Sequence, residues 1–383
     1  MSRKMRRIAA VAAMLCLAAA GAWAAGEPIK IGAVFSVTGP ASFLGEPERN
    51  TAKMLEAQIN KAGGVLGRPV EVIVYDDETD ATKAVTAFDR LVKKDQVVAV
   101  IGPSTTGNTL AIVPKAEEYG IPLVSCASAK KIVDPLKKWV FKTAQSDDLA
   151  VKQIYKHMKA TGISKVAILT ASDGYGSAGR EELKRLAPEY SIALIADEVF
   201  GPKDTDMTSQ LTKIKGTEAQ AIICWGTNPG PAVIARNRVQ LGITLPLYNS
   251  SGVASKKYIE LAGKENAEGV MLPAGRLIVE AQVPADDPRK KALNLYRTSY
   301  ESQFKQDVST FGGHSWDALY LVAEAVKLMN SAEPAAIRDG LEKVTKFYGA
   351  AGEFNFSPTN HEGLTEDAFA MIRIVNGDWV MIK

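Results

Sequence analysis

Two clusters of hydroxyl side chains carry the clearest chemical signal in the chain. Ser104, Thr105 and Thr106 follow a Gly102-Pro103 break, and Ser125 and Ser128 flank Cys126-Ala127. Hydroxyls grouped in this way can grip a small anion such as a carboxylate through hydrogen bonds alone, without a counter-charge. They could equally serve only as helix caps. Their position favours the first role. Val97–Ile101 is an unbroken apolar run, as expected of a strand buried on both faces of a parallel sheet. After the hydroxyls, Gly107-Asn108 opens a helix that stops near Gly120, and Ile121–Val124 is the next strand. In a parallel sheet both clusters then fall at the carboxyl edge, where open α/β sheets bind ligands, beside a helix N-terminus that favours anions.

Other candidate constellations are weaker. Gly174-Tyr175-Gly176-Ser177-Ala178-Gly179 matches the glycine spacing of a dinucleotide-binding turn. Ala171-Ser172-Asp173 separates it from its strand, however, and Asp173 would put negative charge against a pyrophosphate. A turn that presents Tyr175 to a cleft fits better. Asp76-Asp77-Glu78-Thr79-Asp80 lacks the spacing and glycine of a calcium loop, so Thr79 or Asp80 is expected to cap a helix. His314-Ser315-Trp316-Asp317 has the residue types of a catalytic triad, but neighbours at a helix start point in different directions; Ser315 is expected to cap and Trp316 to pack. No phosphate-binding loop with lysine and no nucleophile elbow occurs. No enzyme activity, cofactor or metal is expected.

The elements around these residues alternate between strand and helix. Lys30–Phe35 is a first strand, Ala41–Glu46 a loop and Pro47–Lys61 a helix. Strand Val70–Val74 and a helix through Phe88 and Leu91 precede the central stretch. A short strand, Trp139–Lys142, leads into Gln145-Ser146-Asp147-Asp148 and a helix. From Val166 the alternation restarts, with strands 166–170, 192–200, 219–224 and 247–249. Helices 288–304 and 316–329 follow. The tail is a hairpin turning at Asn376-Gly377. Two doubly wound α/β lobes fit both this order and a length of 383 residues.

The first 24 residues have the form of a secretory signal, with Arg3, Lys4, Arg6 and Arg7 before an apolar run and Ala22-Trp23-Ala24 as the cleavage site. The run is too short to span a membrane as a helix. Cys16, behind Met14-Leu15, is a poor lipidation site. Cleavage lowers Lys+Arg from 46 to 42 against 43 Asp+Glu, so the net charge changes from +3 to −1. The basicity belongs to the signal and implies no nucleic-acid partner. Cys126 and Cys224 remain, each at the end of an apolar strand in a different lobe, and free buried thiols are expected.

The segments KIGAVFSVTGP, ASFLGE, INKAGGVLGRPVEV, YDDETDATKAV, VVAVIGPSTTGNTLAIVPKAEEYGIPLVS, SDGYGSAGREEL, LTKIKGTEAQAIICWG, YNSSGVAS and HSWDALYLVAEAV occur in that order over residues 30–383. Together they resemble the type I periplasmic substrate-binding proteins of ABC transporters, the leucine/isoleucine/valine-binding group. The resemblance implies two α/β lobes with a hinge and an interlobe ligand cleft, joined by three crossings. Lobe one would comprise 25–144 plus 276–346, and lobe two 145–275 plus 347–383. It further implies a monomeric periplasmic protein that hands a small molecule to an inner-membrane permease. Carried over by motif, the ligand carboxylate falls on Thr106, with Ser104 and Thr105 beside it, and on Ala127 and Ser128, the latter replacing a threonine that the family has where this chain has Ala129. Phe43 of ASFLGE and Tyr175 join the site. In amino-acid binders the groups that grip an α-ammonium fall near Ser146 or Asp147 and on Ser251. Ser251 stands where a glutamate is usual, and Thr227 where an aromatic is. A buried ammonium without a carboxylate partner is costly. The expected ligand is therefore a carboxylate without a required ammonium: aromatic, keto or branched aliphatic. ASFLGEP, KWVFKTAQSDD, HSWDAL and TNHEGLTEDAFAMI further resemble members that bind benzoate-like or keto acids. A branched-chain amino acid gripped by Asp147, or an exported ligand-sensing domain, remains the alternative.

Overall fold

The computed structural model describes residues 26–382; the expected signal segment and its cleavage site lie outside the described residues. The first sheet contains β1 (Ile29–Phe35), β2 (Val70–Asp76), β3 (Ala99–Ile101), β4 (Leu123–Ser125) and β5 (Val140–Lys142) in the order β2-β1-β3-β4-β5. All its pairings are parallel. Helices α1 (Ser42–Lys61), α2 (Ala81–Lys93) and α3 (Thr106–Tyr119) connect its strands. Successive side chains of a strand face opposite sides of a sheet. Ile31, Ala33 and Phe35 accordingly meet Leu55 of α1, whereas Val34 meets Phe88 and Leu91 of α2 and Ile112 of α3.

The chain then passes through α4 (Asp147–Ala160) into a second sheet: β6 (Lys165–Ala171), β7 (Ala193–Phe200), β8 (Ala221–Trp225), β9 (Leu247–Asn249) and β10 (Met271–Ala274). Helices α5 (Gly174–Leu186), α6 (Thr208–Lys215), α7 (Gly230–Gln240), α8 (Lys256–Ala262) and α9 (Lys264–Ala267) link them. α10 (Lys290–Phe304), α11 (Thr310–Met329) and α12 (Pro334–Leu341) follow. A two-residue pair, β11 (Phe347–Tyr348) with β12 (Glu353–Phe354), precedes β13 (Ala370–Val375) and β14 (Asp378–Met381). The last two close the second sheet antiparallel, in the order β14-β13-β10-β9-β8-β6-β7. Their turn holds Asn376 and Gly377 at φ 54° and 77°, the two left-handed positions that a tight hairpin turn requires.

Two helices begin earlier than the sequence suggests. α1 starts at Ser42, so the expected loop 41–46 is largely helical and Pro47 lies inside the helix. α11 starts at Thr310 behind a Ser309 cap, rather than at Trp316. Gly45 and Gly312, inside these early turns, are packing positions. A side chain at Gly45 would collide with the Ser36 backbone, and one at Gly312 with the Tyr296 hydroxyl.

The tail also differs from expectation. Phe354, Phe356, Leu364 and Ala368 pack in the first core. Phe356 meets Phe141 of β5 edge-on at 5.4 Å, and the His361 ring stacks on the same phenyl at 3.9 Å. Phe369 joins the second core. We therefore place the third crossing between Ala368 and Phe369 rather than after residue 346.

Candidate ligand-binding site

In each sheet the direction of strand order reverses at one place, and ligands of doubly wound folds bind there, beyond the carboxyl ends of the strands. In the first sheet this point lies between β1 and β3, whose ends lead to Ser36 and to Gly102–Ser104. In the second it lies between β6 and β8, whose ends lead to Ser172-Asp173 and Gly226-Thr227. The two points face one another across a cleft that encloses about 180 Å³. α3 and α5 present their N-termini to it from opposite lobes. Backbone meets backbone at this contact: a side chain on Gly174 would lie 3.1 Å from the Gly107 main chain. The lobes are closed.

Ser104, Thr105, Thr106, Ala127, Ser128, Tyr175, Thr227 and Ser251 all line the cleft. Their hydroxyls differ in availability. Thr105 is the cap of α3, accepting from the Asn108 amide at 3.4 Å. Ser104 accepts from the Ser36 amide at 3.0 Å and also bonds the carboxyl of Glu48. Thr106 Oγ1 is buried without a partner. The first-turn amides of α3 have no acceptor within their helix, so Thr106 offers a free hydroxyl beside a helix N-terminus. On the opposite lobe burial raises the Tyr175 phenol to about 12, which keeps it protonated, 3.4 Å from Ser251 Oγ.

Two expected residues fall elsewhere. Asp147 does not line the cleft. Its Oδ1 accepts from the Lys130 and Asp148 amides, each at 3.0 Å, and its own amide donates to the Ser128 carbonyl at 3.3 Å. The first turn of α4 thus aims this carboxylate away from the ligand space, and Asp147 braces the Ser128 loop from behind. The buried Lys142 ammonium holds the same carbonyl at 2.7 Å. Phe43 also misses the cleft; it packs edge-on against Phe311 at 5.6 Å, and Ala41, Leu44 and Phe311 line the wall instead. The helical start of α1 explains the shift, because side chains on consecutive helical residues diverge.

Several lining residues went unselected by the sequence reading. Phe200 ends β7 and Pro202 follows it, at the same carboxyl edge of the sheet that marks the other lining residues. Asn228 is buried with both amide atoms unpartnered. His314, expected at a helix start, lies inside α11 and turns its ring into the cleft. Burial, then the nearby Lys142 charge, lowers its pKa to about 3, so it is neutral. Asp173 is the one carboxylate among the lining residues, and its Oδ1 caps α5 through the Gly176 amide at 2.7 Å.

The remaining motifs resolve into structure. The glycine run at 174–179 allows close approach: Gly176 sits against the Ala171 backbone and Gly179 against the Trp225 indole. The acidic run divides. Asp80 caps α2 through the Lys83 amide, as expected, while Asp77 is buried and accepts from the Ser36 hydroxyl at 2.6 Å. Ser315 bonds the Glu48 carbonyl rather than capping, Trp316 packs in the first core, and Asp317 accepts the Ala350 and Ala351 amides, each at 2.7 Å. Cys126 and Cys224 are free and buried. Among the described residues no helix is long and apolar enough to cross a membrane.

This geometry agrees with known proteins. A leucine-, isoleucine-, valine-, threonine- and alanine-binding protein of Pseudomonas aeruginosa is 25% identical over 359 residues, 93% of each chain. The crystal structure of an extracellular ligand-binding receptor from Rhodopseudomonas palustris HaA2 superposes with a TM-score of 0.87 at 30% identity, covering 93% of this chain and 99% of that one. A branched-chain amino acid transporter substrate-binding protein from Streptococcus pneumoniae, in complex with isoleucine, gives 0.81 at 26% identity, with coverage of 93% and 99%. The periplasmic binding protein family matches residues 28–378. The chain belongs to that family: it is a type I periplasmic binding protein of the Leu/Ile/Val-binding group.

Proposed function

We propose that this chain is the solute-binding component of an ABC importer, exported to the periplasm by its first 24 residues. It captures a small aromatic, keto or branched aliphatic carboxylate by lobe closure and delivers it to an inner-membrane permease. One observation carries the ligand class. The lining offers the free Thr106 hydroxyl and a helix N-terminus to an anion, while its one carboxylate is engaged as a helix cap. Ser251, opposite, is uncharged. The apolar walls, formed by Leu44, Tyr175, Phe200 and Phe311, suit a hydrocarbon body. Closure removes water and strengthens each polar contact inside.

A branched-chain amino acid is the second reading. The names of the relatives favour it, and Asp173 keeps one carboxylate oxygen outside its cap bond. Leucine and its keto-acid analogue share a skeleton and differ at the ammonium, so a thermal-shift comparison separates the two readings. At about 100 times its dissociation constant a ligand stabilises by about 2.7 kcal/mol. The expected result is a shift with the keto acid and none with leucine. A shift with leucine alone overturns the carboxylate-only reading and assigns the ammonium to Asp173.

A further inference from the structure

We propose that Glu48 is a positioning residue for the ligand carboxylate: it donates a hydrogen bond to Ser104 and thereby turns the Ser104 hydroxyl proton into the cleft. The inference rests on the carboxylate reading of the site. Glu48 lies on α1, 1% exposed, directly behind the cleft wall. Its carboxyl is joined through Ser104 and Ser36 to a second buried acid, Asp77. The groups facing Glu48 are Asp77 at the end of β2, Cys126 after β4 and Tyr296 on α10, while α11 contributes the Ser315 hydroxyl, which bonds the Glu48 carbonyl. None is a cation, and neither acid forms an ion pair among the described residues. Two like charges buried this close without a counter-ion cannot both persist.

Asp77 is the better place for the negative charge, because its Oδ1 accepts both the Ser36 hydroxyl and the Thr79 amide, at 2.6 and 2.9 Å. Glu48 has one partner, Ser104, and burial pushes its carboxyl well above the usual range. The proton therefore sits on Glu48. Hydrogen positions follow from the network rather than from the heavy atoms alone. A serine oxygen has two acceptor sites and one proton. With the Ser36 amide and the Glu48 hydroxyl filling the acceptor sites, the Ser104 proton has only the cleft to point into. Ser104 and Thr106 then form a pair of donors that suits a carboxylate, and the acid bonded directly to Ser104 carries no charge. Ionised Glu48 would instead draw the Ser104 proton inward and repel the ligand.

The test uses the mature protein and its Glu48→Gln variant. In the ligand-free state at neutral pH, the wild type is expected to show the infrared carbonyl band of a neutral carboxylic acid that the variant lacks. If no band distinguishes the two, Glu48 is ionised and the proposal is overturned. Should the variant not fold, Ser104→Ala replaces it, and the same band is expected to shift as its hydrogen-bond partner disappears; an unmoved band overturns the proposal. Binding of benzoate and of the keto-acid analogue of leucine is then followed against pH. Wild-type affinity is expected to fall by up to about tenfold per pH unit once Glu48 ionises, with a flat profile in Glu48→Gln. Equal profiles overturn the proposal. A Thr106→Ala variant with undiminished affinity removes the carboxylate reading itself, while the infrared band still reports on Glu48.

Discussion

Ser104 and Thr106 stand two positions apart on either side of the α3 cap, yet their hydroxyls have different states. Thr106 is free because nothing else reaches it, whereas Ser104 is tied to Glu48 and Ser36. The hydroxyl cluster was legible in the sequence because residue type and strand edge coincide. Its internal wiring was not, since Glu48 lies far upstream and nothing local marks it as buried. Asp147 shows the converse: its motif places it at the site, but a carboxylate's direction depends on the helix turn that carries it, and this one faces Lys130. His314 permits a prediction about stability. It is neutral in the folded protein down to about pH 3, whereas the unfolded chain protonates it near 6.5. Between those values the unfolded state binds the extra proton, so this residue makes stability rise with pH and fall on acidification. His314→Asn is expected to remove about one proton from the pH slope of the unfolding free energy across that window. Urea melts at several pH values check it, and an unchanged slope counts against a buried neutral ring.

At the scale of elements, apolar runs and turn residues identified the strands and most helices, because burial on both faces of a parallel sheet leaves a plain mark. The starts of α1 and α11 were hidden for one reason. Gly45 and Gly312 are there for close packing, and local propensity cannot distinguish that from a helix break. The third crossing was misplaced because the stacking of His361 and Phe356 on Phe141 is a long-range contact. The meeting of α3 and α5 yields a further prediction. The three atoms nearest to a side chain placed on Gly174 all belong to Thr106 and Gly107 of the opposite lobe, so Gly174→Val is expected to obstruct closure more than it disturbs its own lobe. Overpacking of about 1–3 kcal/mol corresponds to an affinity loss of roughly 5- to 150-fold. Small-angle scattering is expected to show the variant remaining extended when ligand is added, with its ligand-free melting temperature unchanged. Normal compaction would mean that the lobes meet elsewhere.

Across the whole molecule, three chain crossings join two independently cored lobes, and the ligand space belongs to neither lobe alone. Doubly wound topology sets the switch points, and the switch points set the cleft. The family and the outline of the site could therefore be read from the order of elements, while the ligand depends on the few side chains that line the gap. The proposed carboxylate would meet hydroxyls and amide dipoles there, and no lysine or arginine is among the lining residues. Such short-range partners sit inside a closed site, out of reach of mobile ions, and cast little field into solution. Capture should therefore be nearly indifferent to ionic strength, with the affinity for a carboxylate changing by less than about twofold over a tenfold rise in salt. A steep decline, read by calorimetry, would reveal a cation in the grip. A flat response would describe a receptor that relies on shape and dryness instead of long-range attraction, and that works equally well in dilute and in briny surroundings.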